Sequence, residues 1–189
     1  MARKSSANIT LRCESDRQSD TPFTNQQLKD ICDSIDILIN NAGVFSHTED
    51  ASIETLNPQF LDLCMTVNAY APIILTHYLY ELLEAAPFPI VLNILTDLVE
   101  SVTMNGEFPA YRASKAALAA FSENEGARSG KLCVIGADPG WMRTDMGGGG
   151  APDDPMVVAH NILHLLLNPA LLKSGLTYRV AKGSNFQPH

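Results

Sequence analysis

The chain has 189 residues, enough for one domain with its own core, and its 46% hydrophobic and 18% charged content is ordinary for a globular protein. Thirteen basic against 21 acidic residues leave a net charge of -8, which argues against a nucleic-acid partner, because phosphate-backbone contacts need a basic surface. No apolar run has the length of a membrane span, and no apolar stretch follows the basic start Met1-Ala2-Arg3-Lys4, so neither a membrane anchor nor a secretory signal is read and a cytoplasmic location is expected.

In chain order, short β-branched apolar runs alternate with longer helical stretches, the pattern of an α/β fold with a mostly parallel sheet. Residues 8–13 form a candidate short strand. A helix is expected over 25–34, capped by Thr24, with Leu28, Ile31 and Cys32 as its apolar stripe. The first strong strand signal spans 35–40 and ends abruptly in Asn40-Asn41-Ala42-Gly43, which places a loop at the C-terminal edge of a parallel sheet, where α/β proteins bind ligands. Asn57 followed by Pro58 starts a helix whose apolar period runs through Phe60, Leu61, Cys64, Val67, Ala71, Leu75, Tyr78, Leu79 and Leu82 to about residue 85. Pro72 lies inside that run, so either the helix kinks there or two helices abut.

Residues 89–95 read as the next strand and 96–109 as a loop. A helix follows over 110–127, with Gly126 and Gly130 at its end. Residues 131–137 form another strand, closed by Asp138-Pro139-Gly140. The loop over 141–154 holds an unbroken glycine row at 147–150, either flexible or a tight turn. Pro155 opens a helix to about residue 167, and 176–180 make a last short strand.

Cys13, Cys32, Cys64 and Cys133 form no CxxC pair and read as buried reduced thiols. His47, His77, His160, His164 and His189 are scattered. His160 and His164 share a helical face but have no evident third ligand, so no metal site is expected.

Tyr111 and Lys115 stand four apart on a predicted helix and share one face. An ammonium beside a phenol favours the phenolate; moving a tyrosine from about 10 toward 7 takes roughly 4 kcal/mol of differential interaction. Taken alone this spacing is a weak signal, but its setting adds to it. Tyr111-Arg112-Ala113-Ser114-Lys115-Ala116-Ala117-Leu118 resembles the active-site helix of the short-chain dehydrogenases/reductases. Asn40-Asn41-Ala42-Gly43 resembles the family's NNAG element, Asn68 falls at its helix asparagine, Asn93-Ile94-Leu95-Thr96 is similar to the strand that delivers its serine, and Pro139 to Met146 is similar to its PG loop. The string Pro139-Gly140-Trp141-Met142-Arg143-Thr144-Asp145-Met146 and the tail around Gly183 look most like the subgroup related to the bacterial C-factor signalling protein.

The resemblance implies a Rossmann-like three-layer α/β fold and an oxidoreductase that uses NADP or NAD to interconvert a carbonyl and an alcohol. It implies Tyr111 as general acid or base, Lys115 as the group that holds the nicotinamide ribose and tunes Tyr111, Thr96 as a hydroxyl donor to the substrate oxygen, and Asn68 as support for a proton-relay water. Asn40, Ala42, Gly43, Pro139, Gly140 and Thr144 would line the cofactor. Family members commonly pair through two long helices, here near 58–85 and 110–127, which makes a homo- or hetero-oligomer the expected assembly.

Three departures stand out. Thr96 replaces the family's serine, with Asp97 directly after it. Asp138 stands where the subgroup often has histidine; as a residue type it also suits a loop cap. The glycine-rich opening of the family is not matched, because no glycine precedes Gly43, and residues 8–16 instead resemble its third strand, with Glu14 or Asp16 at the adenine-contacting position. Residues 1–189 are therefore expected to form one incomplete, N-terminally truncated cofactor-binding domain. Such a chain is an oxidoreductase, inactive by itself if the missing turn is needed, a noncatalytic protein that associates with full-length relatives, or a poorly folding fragment without function.

Overall fold

The structure, a computed structural model, describes residues 30–97, 106–128, 130–184 and 186. The strand expected at 8–13, the cap Thr24, and Cys13, Glu14 and Asp16 lie outside these residues; of the helix expected at 25–34, Asp30 and Ile31 are helical.

Four strands, β1 (Ile37–Asn40), β2 (Ile90–Ile94), β3 (Cys133–Asp138) and β4 (Thr177–Arg179), lie side by side in chain order, and every neighbouring pair is parallel. Parallel neighbours need a crossover, and helices supply it. α1 (Pro58–Cys64), a π-helical segment (Met65–Tyr70) and α2 (Ala71–Ala85) connect β1 to β2; α3 (Pro109–Ala127) connects β2 to β3; α4 (Pro155–Leu166) and a short 3-10 turn (Pro169–Leu171) connect β3 to β4.

Alternate strand residues point to opposite faces. Leu38, Val91 and Val134 pack with Leu79, Leu82 and Leu83 of α2 on one side. Ile90, Leu92, Ile94, Ile135, Ala137 and Tyr178 pack with Val158, Leu165 and Leu166 of α4 on the other. The result is the expected Rossmann-like three-layer architecture. β2 and β3 are buried along their whole length, which explains their unbroken apolar character. Among the described residues β1 is an edge strand. Its Ile37 and Ile39, in register with Ile90 and Leu92, are 38% and 47% exposed and do not belong to the cluster that packs with α4.

Pro72 lies in the first turn of α2, directly after the π-helical segment, so the break in α-helical geometry falls where the proline stands. The chain stays helical from Pro58 to Ala85, and the segment before Pro72 widens into a π turn in which the Ala71 N–H bonds Thr66 O, five residues back. A π turn makes room for the pyrrolidine ring and tolerates its missing N–H.

Asn40 and Asn93, paired in register across β1 and β2, are both buried. Asn40 Nδ2 donates to Asn93 Oδ1 at 2.8 Å, Asn93 Nδ2 to Ser122 Oγ at 2.8 Å, and Ser122 Oγ to Leu118 O at 2.8 Å. This chain ties two strands to α3 with every amide satisfied. Asn93→Ala removes the acceptor of Asn40 Nδ2 and the donor to Ser122 Oγ, and urea unfolding is expected to show a loss of about 1–3 kcal/mol; a variant within a few tenths of wild type would mean the network contributes nothing.

Candidate active site

The π turn presents Asn68 at the C-terminal edge of the sheet, fully buried. Its Oδ1 accepts the Val44 N–H at 2.8 Å, and its Nδ2 donates to Val44 O at 3.0 Å and to Ser114 Oγ at 3.0 Å. Ser114 Oγ in turn donates to Tyr111 O at 2.7 Å. One amide thus joins the loop after β1 to the first turns of α3. Gly43 lies against the same group: a Cβ there would stand 3.4 Å from Asn68 Oδ1 and 3.8 Å from Lys115 Nζ.

α3 begins without a cap of its own. Phe108 precedes Pro109 in a left-handed conformation, φ 58° and ψ 48°, and offers no side-chain acceptor. Asp50, fully buried, supplies it from a distant loop. Its Oδ1 accepts the Ala110 N–H at 2.7 Å, its Oδ2 accepts the Tyr111 N–H at 2.8 Å, and its backbone O accepts the Phe108 N–H at 3.0 Å. A carboxylate suits this place, since orphan amides and the helix dipole both favour negative charge. Sequence reasoning missed Asp50. The one available signal was negative: a helix opened by Phe108-Pro109 has no capping side chain and needs a remote acceptor.

Lys115, one turn beyond Tyr111, is only 4% exposed and donates from Nζ to Ile94 O at 2.7 Å. Nζ stands 5.9 Å from the centre of the Tyr111 ring. Burial pulls this lysine down to about 8. Tyr111 departs from the expectation that Lys115 would lower it. Burial pushes its phenol up to about 12, and the charge of Asp138 and then Cys64 add to the rise. Desolvation of the phenolate outweighs the ammonium nearby, so the phenol holds its proton through the neutral range. Cys64, buried on α1, is itself raised to about 12 by burial and by Asp50.

Thr96 is half-buried just past the end of β2. Asp97 Oδ2 accepts from Arg179 Nη1 at 3.0 Å, and the same nitrogen lies 3.3 Å from Asp138 Oδ2. Asp138, 1% exposed, ends β3 rather than following it, and its Oδ1 accepts the Gly140 N–H at 3.0 Å, the loop cap that its residue type suggested. Burial raises its carboxyl despite Gly140 and Arg179. Pro139 is buried. Gly140 adopts φ 70°, and a Cβ there would lie 2.7 Å from Asp153 Oδ2 and 2.9 Å from Ala181 Cβ, so no other residue fits without displacement.

The start of the glycine row lies in a turn, with the Gly148 N–H on Thr144 O at 2.8 Å. Met142 and Asp153 form a bridge at its base, Trp141 Nε1 donates to Gly147 O at 2.8 Å, and Thr144 Oγ1 accepts the Gly147 N–H at 3.2 Å. The Thr144 hydroxyl thus holds the turn. Asn40, as described, is engaged inside the sheet, while Ala42 is exposed and Gly43 half-buried beside Asn68 and Lys115. The structure therefore gathers Asn68, Tyr111 and Lys115 into one cluster with Gly43. Thr96, Pro139 and Gly140 follow β2 and β3 at the same sheet edge. Among the described residues, no three His, Cys, Asp or Glu side chains come together as metal ligands, and no helix is long and apolar enough to cross a membrane.

A parallel sheet between two helical layers, with its polar cluster at the strands' C-terminal ends, defines a Rossmann-type α/β protein. The sequence profile described as short chain dehydrogenase matches residues 2–154, and the chain belongs to that family. Among solved structures it is similar to the carbonyl reductase Sniffer of D. melanogaster, at 25% identity and a TM-score of 0.69 over 82% of this chain and 70% of that one. It is also similar to the NADPH-bound carbonyl reductase from chicken fatty liver, at 24% identity and 0.68 over 82% and 66%. A third, the short chain dehydrogenase from Shigella flexneri, gives 22% identity and 0.72 over 87% and 66%. At the two lower identities the likeness shows the fold alone, and the chain spans about two thirds of the length of these structures. Curated protein sequences give no match.

Two measurements probe this geometry. Asp50→Asn keeps the shape of the cap but sets an amide group against one backbone N–H, and thermal or urea unfolding is expected to lose about 1–3 kcal/mol; an unchanged midpoint would remove Asp50 from the account. Lys115 has a folded pKa near 8, below its ordinary 10.5, so the unfolded chain binds more protons between those values. Stability from this group therefore rises with pH across that window. The difference in unfolding free energy between wild type and Lys115→Met should shift toward wild type from pH 8 to 10, and a flat difference would contradict the buried lysine.

Proposed function

We propose that this chain is an NAD(P)-dependent oxidoreductase of the short-chain type that interconverts a carbonyl and an alcohol. One observation carries the reading: Asn68, from the π-helical segment, meets Tyr111 and Lys115 of α3 at the sheet's C-terminal edge, with the lysine buried beside the tyrosine ring. Such a lysine needs a reason to be inside, because burial disfavours its charge.

The residues fit a nicotinamide cofactor, NADP or NAD. An ammonium has three donors, and Ile94 O takes one, so ribose hydroxyls suit the rest. Ala42, Gly43, Pro139 and Gly140 carry small or compact side chains at the same edge, with Asn40 holding the strand beneath them and Thr144 closing the turn beyond. The chicken fatty liver reductase is NADPH-bound, which supports the same class of cofactor here. When bound, that cofactor supplies or takes the hydride.

In this reading Tyr111 gives its proton to the substrate oxygen in reduction and takes it back in oxidation. Its phenol, held up to about 12, is well supplied with that proton at neutral pH, and oxidation needs the charge of Lys115 and the cofactor to lower it. Thr96 donates its hydroxyl to the same oxygen; its methyl limits the rotamers. The Asn68 amide is fully engaged with Val44 and Ser114, so it acts as a positioning group. Pro72 removes the donor that Asn68 C=O would otherwise receive four residues on, and that carbonyl suits a relay water.

The PG loop sequence supports placement near the C-factor-related subgroup, the composition a cytoplasmic location, and the partial span of the solved relatives a unit that covers only part of the family fold. A second reading, a noncatalytic partner of full-length relatives, is favoured by one face along the 58–85 helix on which Tyr70, Ile74 and Tyr78 are 55%, 49% and 48% exposed at four-residue spacing.

Tyr111→Phe tests the first reading. With NADPH and a panel of aldehydes and ketones, kcat/KM is expected to fall at least about 100-fold, while NADPH affinity stays within about threefold. In wild type the reduction rate should stay level through the neutral pH range, since the phenol does not lose its proton there. Turnover that survives in Tyr111→Phe would overturn the assignment.

A further inference from the structure

A second group of side chains borders Tyr111 and has no part in the chemistry above. Phe45 packs edge-on against the Tyr111 ring, centroids 5.1 Å apart, and also against Phe108 at 4.8 Å and His47 at 4.7 Å. His47 and Phe108 close the group at 5.6 Å. None of these residues belongs to the buried core clusters; Phe45 and Phe108 are half-buried and His47 is exposed. Every contact is edge-on, at 60° to 87°, the arrangement aromatic rings prefer to a face-to-face sandwich, so the three side chains form one aromatic group beside Tyr111 that keeps part of its surface exposed.

Phe108 adds an independent observation. It sits in the left-handed region at φ 58°, which residues with a Cβ adopt at a steric penalty. The nearby Gly106, at φ 84°, shows the residue type that such a conformation favours. The bond from the Phe108 N–H to Asp50 O holds the strained backbone, while the ring gains only partial burial. Helix initiation alone does not call for an aromatic side chain there, because the Asp50 carboxylate caps α3 through Ala110 and Tyr111. Strain retained beside a reactive group points to a role for the ring itself.

We propose that Phe45, His47 and Phe108 form the wall of a substrate subsite that selects aryl carbonyl compounds, with the substrate's ring against this wall and its carbonyl toward Tyr111. The inference rests on the oxidoreductase reading for the carbonyl, but the aryl preference stands on the wall and is read by binding without turnover.

The test uses the full chain and two probes of similar size, acetophenone and cyclohexyl methyl ketone, which differ in aromaticity. Saturation-transfer NMR and calorimetry on folded wild type are expected to show acetophenone bound at least fivefold more tightly. Phe108→Gly, which relieves the backbone, should keep or raise the melting temperature yet weaken acetophenone at least tenfold, and Phe45→Leu should erase the preference. Equal binding of the two ketones, no binding of acetophenone, or a Phe108→Gly protein that melts lower with unchanged acetophenone affinity would each overturn the proposal. Aryl-selective binding with no turnover by any nicotinamide cofactor would instead overturn the oxidoreductase reading and leave the subsite standing. Turnover of both ketones at equal efficiency, unaltered by Phe45→Leu, would do the reverse.

Discussion

The site depends on one buried carboxylate at the start of one helix. α3 carries Tyr111, Ser114, Lys115 and Ser122, and its first free amides end on Asp50, 60 and 61 residues away in sequence. Asp50 is itself held by the loop that leads into α1. Asn57 caps α1 through its Oδ1 and also donates from Nδ2 to Glu49 Oε2 at 2.8 Å, while its N–H bonds Glu49 O at 3.0 Å. The position of the tyrosine is therefore set jointly by its own helix and by the helix before it. Charge-assisted bonds of this kind contribute about 1.5–3 kcal/mol each, enough to decide where a helix begins.

Asn68 closes the circuit from the other side. The π turn that places it exists because Pro72 cannot extend an ordinary α-helix, and its amide then clamps Val44 to Ser114. Two distant anchors, Asp50 at the amides and Asn68 at the first hydroxyl, leave α3 little freedom to slide or rotate. Within that frame Lys115 is driven inside and Tyr111 is partly covered, and their proton affinities follow from burial more than from each other.

The strands were legible because β2 and β3 are buried on both faces and so read as continuous apolar runs; their ends moved by one or two residues where a polar residue such as Asp138 is itself inside the sheet. The Tyr111–Lys115 pair was legible because helical spacing is local. What escaped reading was nonlocal. Nothing near Ala110 announces Asp50, and nothing in the apolar period announces the π turn that accompanies Pro72. The net rise of Tyr111 was not legible for the same reason, since spacing gives the distance between two charges but not the desolvation around them. Thr144 and Asn40 likewise have suitable chemistry for a ligand, yet their side chains also serve a turn and a strand pair.

The account makes this cluster a cofactor site, and direct titration of the folded chain with NADPH and NADH tests that most directly. Trp141, the one tryptophan, stands next to Gly140 and reports by energy transfer to the nicotinamide. The account predicts saturable binding of at least one reduced cofactor, competed by its oxidised form and weakened in Lys115→Met. A folded chain that binds neither cofactor up to millimolar concentration would contradict it.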